Sequence, residues 1–263
     1  MEVVIITQGS SPTGIEDVPD VMAEIYLETV EFANSAPAWI QELGLLFTEG
    51  SIVLLLALLL LTWWRARSGT AKTMASALLA PVGLVVSYLL SEWSKTFVEV
   101  DRPCRTLNVE VIAECPPVGD WSLPSNHATI AGAIAIGVLI AWPRLGLVSL
   151  PIGVLAAYSR VFVGVHYPHD VVVGFLMGAT VTAIVMVLLV RPVTVLVGRL
   201  REHPRVGVLL AKATDPAQAS APVQRSATNH GLPAYYDNSR SSVHGDNDVP
   251  ISDQSTRRIP RQK

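Results

Sequence analysis

Five apolar runs, near residues 44–64, 73–94, 126–142, 145–162 and 170–190, restrict this chain to few possible folds. A helix needs about 20 residues to cross the hydrocarbon of a bilayer, or nearer 17 at the short end. The first, second and fifth runs are long enough outright. The third and fourth are parted only by Trp142-Pro143-Arg144 and are expected to form a helix pair with a tight turn. Lipid cannot satisfy exposed backbone groups, so the expected fold is all-α, a polytopic bundle of about five transmembrane helices. Trp63, Trp64, Trp93 and Trp142 fall at run ends, where aromatic side chains settle at the membrane interface. Charged residues make up 16% of the 263 positions, against about a quarter in a soluble domain. The basic residues form no patch interleaved with aromatics, so no nucleic-acid partner is expected.

The flanks differ from the runs. Residues 1–20 are polar and acidic, with Glu16, Asp17 and Asp20 among Gly, Ser and Pro, and are expected to be loosely held. No secretory signal is expected there, since the first Lys or Arg is Arg65. Over 21–41, Met22, Ile25, Tyr26 and Val30 recur at helical spacing against Glu24, Glu28 and Glu31. That pattern predicts an amphipathic helix at the surface, either lying on the membrane or packed on the protein. Three regions result: an acidic N-terminal segment 1–43, a transmembrane domain 44–190, and a basic juxtamembrane segment with a disordered tail, 191–263. Arg65, Arg67, Lys72, Arg144, Arg191, Arg199, Arg201 and Arg205 share one side if five spans are present. The positive-inside rule makes that side cytoplasmic, with the tail, and leaves the N-terminus outside.

Polar groups with chemical potential gather at the other side. In the stretch Ser159 to Asp170, Arg160 offers a planar fork suited to phosphate oxygens, and His166 is a nucleophile or proton carrier near neutral pH. Asp170, four residues on, is placed to hold one tautomer of that imidazole. Lys95 precedes Arg102-Pro103 by six residues, and Pro124-Ser125-Asn126-His127 opens the third run. Ser125 is the expected helix cap, turning free backbone N–H groups toward an anion. Lys95, Arg102 and Arg160 share that face, and three cations brought together there would require an anion, which phosphate supplies. His166, His169 and Asp170 also have metal-ligand chemistry, but converging cations oppose a divalent ion, so no metal is expected. His169 is expected at the rim and Asp101 as the partner of a nearby cation; His203, His230 and His244 carry no expected role. Cys104 and Cys115 flank a short loop on the outer side and either close a disulfide beside Arg102 or remain free thiols.

In order and spacing, these three stretches resemble the signature of the type 2 phosphatidic acid phosphatase superfamily: Lys-x6-Arg-Pro, Pro-Ser-Gly-His and Ser-Arg-x5-His-x3-Asp. The one departure is Asn126 in place of Gly. The resemblance covers about residues 44–190. It implies His166 as the nucleophile that forms a phosphohistidine, oriented by Asp170, and His127 as the general acid. Lys95, Arg102, Arg160 and the groups of Ser125 and Asn126 are then the phosphate-binding set, with no cofactor. It further implies a membrane lipid phosphate as substrate, met on the extracytoplasmic face of the cell membrane. The short build is similar to bacterial undecaprenyl-diphosphatases, which implies conversion of undecaprenyl diphosphate to undecaprenyl phosphate. A broader lipid phosphate phosphatase, a vanadate-binding haloperoxidase and a non-catalytic phospholipid-binding protein are the alternatives. Nothing in the sequence bears on oligomeric state.

Overall fold

A computed structural model of the protein describes residues 18–203 and residue 210. The expectations for residues 1–17 and for the tail, including His230 and His244, lie outside the described residues. The described residues form seven helices and no strand: α1 Asp20–Ser35, α2 Ala38–Ala66, α3 Ala71–Lys95, α4 Pro103–Thr106, α5 Asn126–Ala141, α6 Pro143–Phe162 and α7 Pro168–Arg201. Four of them are long and apolar enough to span a bilayer, α2, α3, α6 and α7, with hydropathies of 2.3, 1.8, 1.6 and 2.5. The fifth apolar helix, α5, has only 16 residues.

Helix α5 is apolar all round, and such a helix belongs in the interior. It packs against α2, α3, α6 and α7. Leu55, Leu79, Ile134, Val138, Ala156 and Met186, drawn from all five long helices, form one buried cluster around it. Lipid supplies no hydrophobic force between helices, so close backbone approach matters more. Gly132 and Gly178 permit that approach: a β-carbon on Gly178 would land on the Thr129 carbonyl, and one on Gly132 on the Phe175 carbonyl. Between α3 and α7, the buried Ser87 hydroxyl donates to the Gly83 carbonyl at 2.7 Å and lies 3.3 Å from the Thr182 hydroxyl.

Three details refine the expected boundaries. The helix expected over 21–41 stops at Ser35, and the first spanning helix begins at Ala38. Pro37 is the reason: the residue before a proline is driven out of the helical region, and Ala36 is extended at φ −71°, ψ 150°. Helix α1 is also packed on the protein. Ala23, Tyr26, Val30 and Ala33 are buried, and the Tyr26 hydroxyl donates to the Gly164 carbonyl at 2.8 Å. Its outer face leaves Val21, Ile25 and Phe32 exposed. Finally, α7 passes Pro192 and continues to Arg201, so Arg191, Arg199 and Arg201 belong to the spanning helix itself.

The topology puts the C-terminal ends of α3 and α6 together with the N-terminal ends of α2, α5 and α7. The 96–122 loop, carrying α4, joins them there. Within that loop Cys104 and Cys115 form a disulfide.

Candidate active site

His166 lies in the short connection between α6 and α7 and is 2% exposed. Arg102 reaches it from the 96–122 loop. One guanidinium nitrogen of Arg102 lies 3.0 Å from His166 Nε2 and donates at 3.0 Å to the Val165 carbonyl. Its Nε donates to the Asp120 carbonyl at 2.9 Å, and its other terminal nitrogen is 3.0 Å from Asp120 Oδ1. A guanidinium can only donate, so Nε2 of His166 carries the lone pair and Nδ1 the proton. Nδ1 lies 3.2 Å from the Ser122 hydroxyl and 3.6 Å from Asp170 Oδ2. The Ser122 hydroxyl donates to Asp170 Oδ2 at 2.5 Å, and the Tyr167 amide donates to the same oxygen at 2.9 Å. The carboxylate is fully buried.

Burial is the main cause that pushes the His166 imidazole down to about 4; Asp170 opposes it and the charge on Arg102 reinforces it. The imidazole is therefore neutral at physiological pH. Burial would raise the Asp120 carboxyl, but Arg102 and then Lys95 beside it hold it below the usual range.

Lys95, at the end of α3, is 3.7 Å from Asp120 and 3.2 Å from Glu92. Arg160, in the last turn of α6, donates to the Thr48 hydroxyl at 3.2 Å and lies 3.7 Å from Glu49. His127, in the first turn of α5, places Nε2 2.7 Å from the Thr48 carbonyl, so that nitrogen is the protonated one. Thr48 thus links His127 to Arg160. The three expected cations are accompanied by three carboxylates, Asp120, Glu92 and Glu49.

Ser125 caps α5, its hydroxyl accepting from the Ala128 amide. Its own amide, however, donates to the Asp170 carbonyl at 3.1 Å and is not turned to an anion. Asn126 and His127 head the helix, so the outward amides are theirs. The Asn126 side chain accepts from the Ser91 hydroxyl at 2.7 Å and donates to Glu92, so it faces α3. His169 stacks on Tyr167, with ring centres 5.5 Å apart, and Asp101 is paired with Arg105 at 2.6 Å. Among the described residues no group of three His, Cys, Asp or Glu side chains is arranged to hold a metal ion.

A family model described as the PAP2 superfamily matches residues 76–193. Lipid A 1-phosphatase from Rhizobium etli is 30% identical over 172 residues, covering 58% of this chain and 74% of that protein. This chain belongs to the PAP2 superfamily. Undecaprenyl-diphosphatase BcrC from Bacillus subtilis is 33% identical over 141 residues, 53% of this chain and 67% of that one. The undecaprenyl-diphosphatase of Sulfolobus acidocaldarius is 36% identical over 105 residues, 38% of this chain, and the match spans about half (49%) of that protein's length. The crystal structure of Aquifex aeolicus LpxE shares the fold, with a TM-score of 0.52 at 23% identity over 65% of this chain and 98% of that one. The segment matched to the PAP2 superfamily contains every expected site residue. Thr48 and Glu49 precede it, and no local pattern announces them. Ser122 and Asp120 lie within it but outside the three motifs. Their one sequence signal is nearness to Pro124-Ser125-Asn126-His127.

Proposed function

We propose that this PAP2 superfamily member is an integral membrane phosphatase that hydrolyses a lipid diphosphate through a phosphohistidine, with undecaprenyl diphosphate as the preferred substrate class. The observation that carries the reading is His166 itself: neutral, buried, its Nε2 lone pair turned toward the cation Arg102 and its Nδ1 proton toward Asp170. On substrate binding, Arg102 passes its N–H from Nε2 to a phosphate oxygen, and Nε2 attacks phosphorus in line with the leaving oxygen. His127, protonated at both nitrogens once the anionic substrate sits beside it, donates the proton that the leaving oxygen needs. Water then attacks the phosphohistidine, with His127 taking its proton, and phosphate leaves. Lys95, Arg102, Arg160 and the amides of Asn126 and His127 offset charge on the equatorial oxygens; such fixed donors are the main source of rate in phosphoryl transfer.

The extracytoplasmic placement of the site rests on charge. At the opposite end, described residues Arg65, Arg67, Lys72, Arg144, Arg199 and Arg201 face one carboxylate, Glu202. That is the cytoplasmic pattern. The Cys104–Cys115 disulfide at the site end fits an oxidising compartment. Relatives named lipid A 1-phosphatase favour a second reading, a phosphatase of other lipid phosphates at the same site. Phosphate release from undecaprenyl diphosphate, phosphatidic acid and phosphatidylglycerol phosphate, by purified wild type and His166→Ala, tests both. The diphosphate should be turned over fastest and His166→Ala should release none; equal rates in the two proteins would refute the mechanism.

A further inference from the structure

The end of the bundle opposite His166 holds a cavity that the catalytic reading does not use. We propose that it is a second binding site, for the phosphate headgroup of an anionic phospholipid. The cavity measures about 290 Å³ and lies where α2, α3, α5 and α6 end or begin, lined among others by Thr62, Arg65, Ser68, Thr73 and Trp142. The Arg65 guanidinium lies over Trp142, its carbon 5.3 Å from the centre of the ring. A guanidinium placed over a ring still offers N–H donors to an acceptor, and a phosphate takes two such donors at once. Thr70 and Thr73 share one hydroxyl hydrogen bond of 2.9 Å, which leaves one proton of the pair over. The wall is also braced: Arg201 donates to the Gly69 carbonyl at 2.9 Å, fixing the turn that lines the cavity. The surrounding charge is positive, as given above, and basic pockets between helix ends favour anionic headgroups.

The test is thermal unfolding in nanodiscs of phosphatidylcholine alone or with phosphatidylglycerol, for wild type and Arg65→Ala, with inorganic phosphate as a separate arm. Phosphatidylglycerol should raise the wild-type Tm, and Arg65→Ala should lose most of that gain. The catalytic residues are intact in both proteins, so the difference between them reports this cavity. A gain lost in Arg65→Ala with phosphate alone would identify a soluble anion as sufficient for the same chemistry. No gain in wild type, or an equal gain in both, overturns the proposal.

A separate observation concerns the nucleophile and rests on the reading of His166 given above. His166 Nδ1 and Asp170 Oδ2 are 3.6 Å apart, beyond hydrogen-bond reach, and the Ser122 hydroxyl stands between them. We infer that Ser122 is a positioning residue, through which Asp170 holds the imidazole. The hydroxyl gives its proton to the carboxylate and so turns a lone pair to the Nδ1 proton, which keeps Nε2 unprotonated for attack. Ser122 has no exposure, so no water takes its place without rearrangement.

Ser122→Ala should lower kcat by about ten- to a hundredfold with little change in KM, the effect of one buried hydrogen bond felt at the nucleophile. Ser122→Thr, which keeps the hydroxyl, should recover most of it. Ser122→Ala combined with Asp170→Asn should be no slower than Asp170→Asn alone. Full activity in Ser122→Ala sinks the inference, as do multiplicative losses in the double variant. Wild type inactive on every lipid phosphate would instead remove the proposed function, a separable outcome.

Discussion

Arg102 and His166 meet at 3.0 Å, 64 residues apart in sequence, and this contact settles the proton arrangement of the whole cluster. Because Arg102 never accepts, the imidazole proton is confined to Nδ1, on the side of Ser122 and Asp170. In the proposed mechanism Arg102 prepares the nucleophile as well as binding the anion. Lysine would keep the charge but not the fork that reaches Val165, Asp120 and His166 together. Arg102→Lys should lower kcat/KM by about 10² to 10³. Phosphate release under single-turnover conditions measures it, and a loss below threefold would contradict this role.

Replacing Asp170 by asparagine preserves shape but removes the charge that favours the Nδ1 tautomer. The loss in kcat should be about 10² to 10⁴, the scale seen when a triad carboxylate is neutralised. A melting temperature close to wild type would show that the loss is chemical.

The acid side of the pH profile follows from burial. His166 titrates at about 4 in the folded protein, against about 6.5 in an unfolded chain. The acid limb of kcat/KM should accordingly lie well below the ordinary histidine range. For stability, the unfolded chain binds this proton first. The contribution of His166 is thus fully present above about 6.5 and is lost as pH falls toward 4. Denaturation midpoints at pH 7 and pH 5 in the same detergent should differ in that direction.

The Cys104–Cys115 bridge ties the loop that delivers Arg102, Asp120 and Ser122. Its two cysteines are 11 residues apart, and closing a loop of that size stabilises a fold by about 3 kcal/mol. Cys104→Ser/Cys115→Ser, or treatment with a reductant, should lower Tm and reduce kcat/KM together. An unchanged kcat/KM would mean that the loop is held without the bridge.

Asn126→Gly restores the residue typical of the superfamily motif. It removes the bonds to Ser91 and Glu92, at a cost in stability of about 1 kcal/mol, while leaving the helix amides in place. Phosphate release should persist within a few fold. Its abolition would make Asn126 a direct substrate contact.

The bundle and its three motifs were legible because each rests on local pattern: apolar runs of bilayer length, and short signatures at their ends. The break at Ala36-Pro37 was missed: Pro37 marks it, but the helical periodicity over 21–41 concealed it. Thr48 and Glu49 were not, since an ordinary threonine and glutamate at the start of an apolar run acquire meaning only when α2 packs beside α6. Ser122 and Asp120 are similar: their roles depend on the loop folding back over His166, a distance set by tertiary structure. The docking of α1 required knowing that Gly164 presents a carbonyl where Tyr26 arrives.

Helix α5 has a wider consequence. At about 1.5 Å per residue its 16 residues reach about 24 Å, short of a hydrocarbon layer of about 30 Å. The four helices packed around it are long enough to cross that layer, so the lipid meets them and the central rod is free to stop short of one surface.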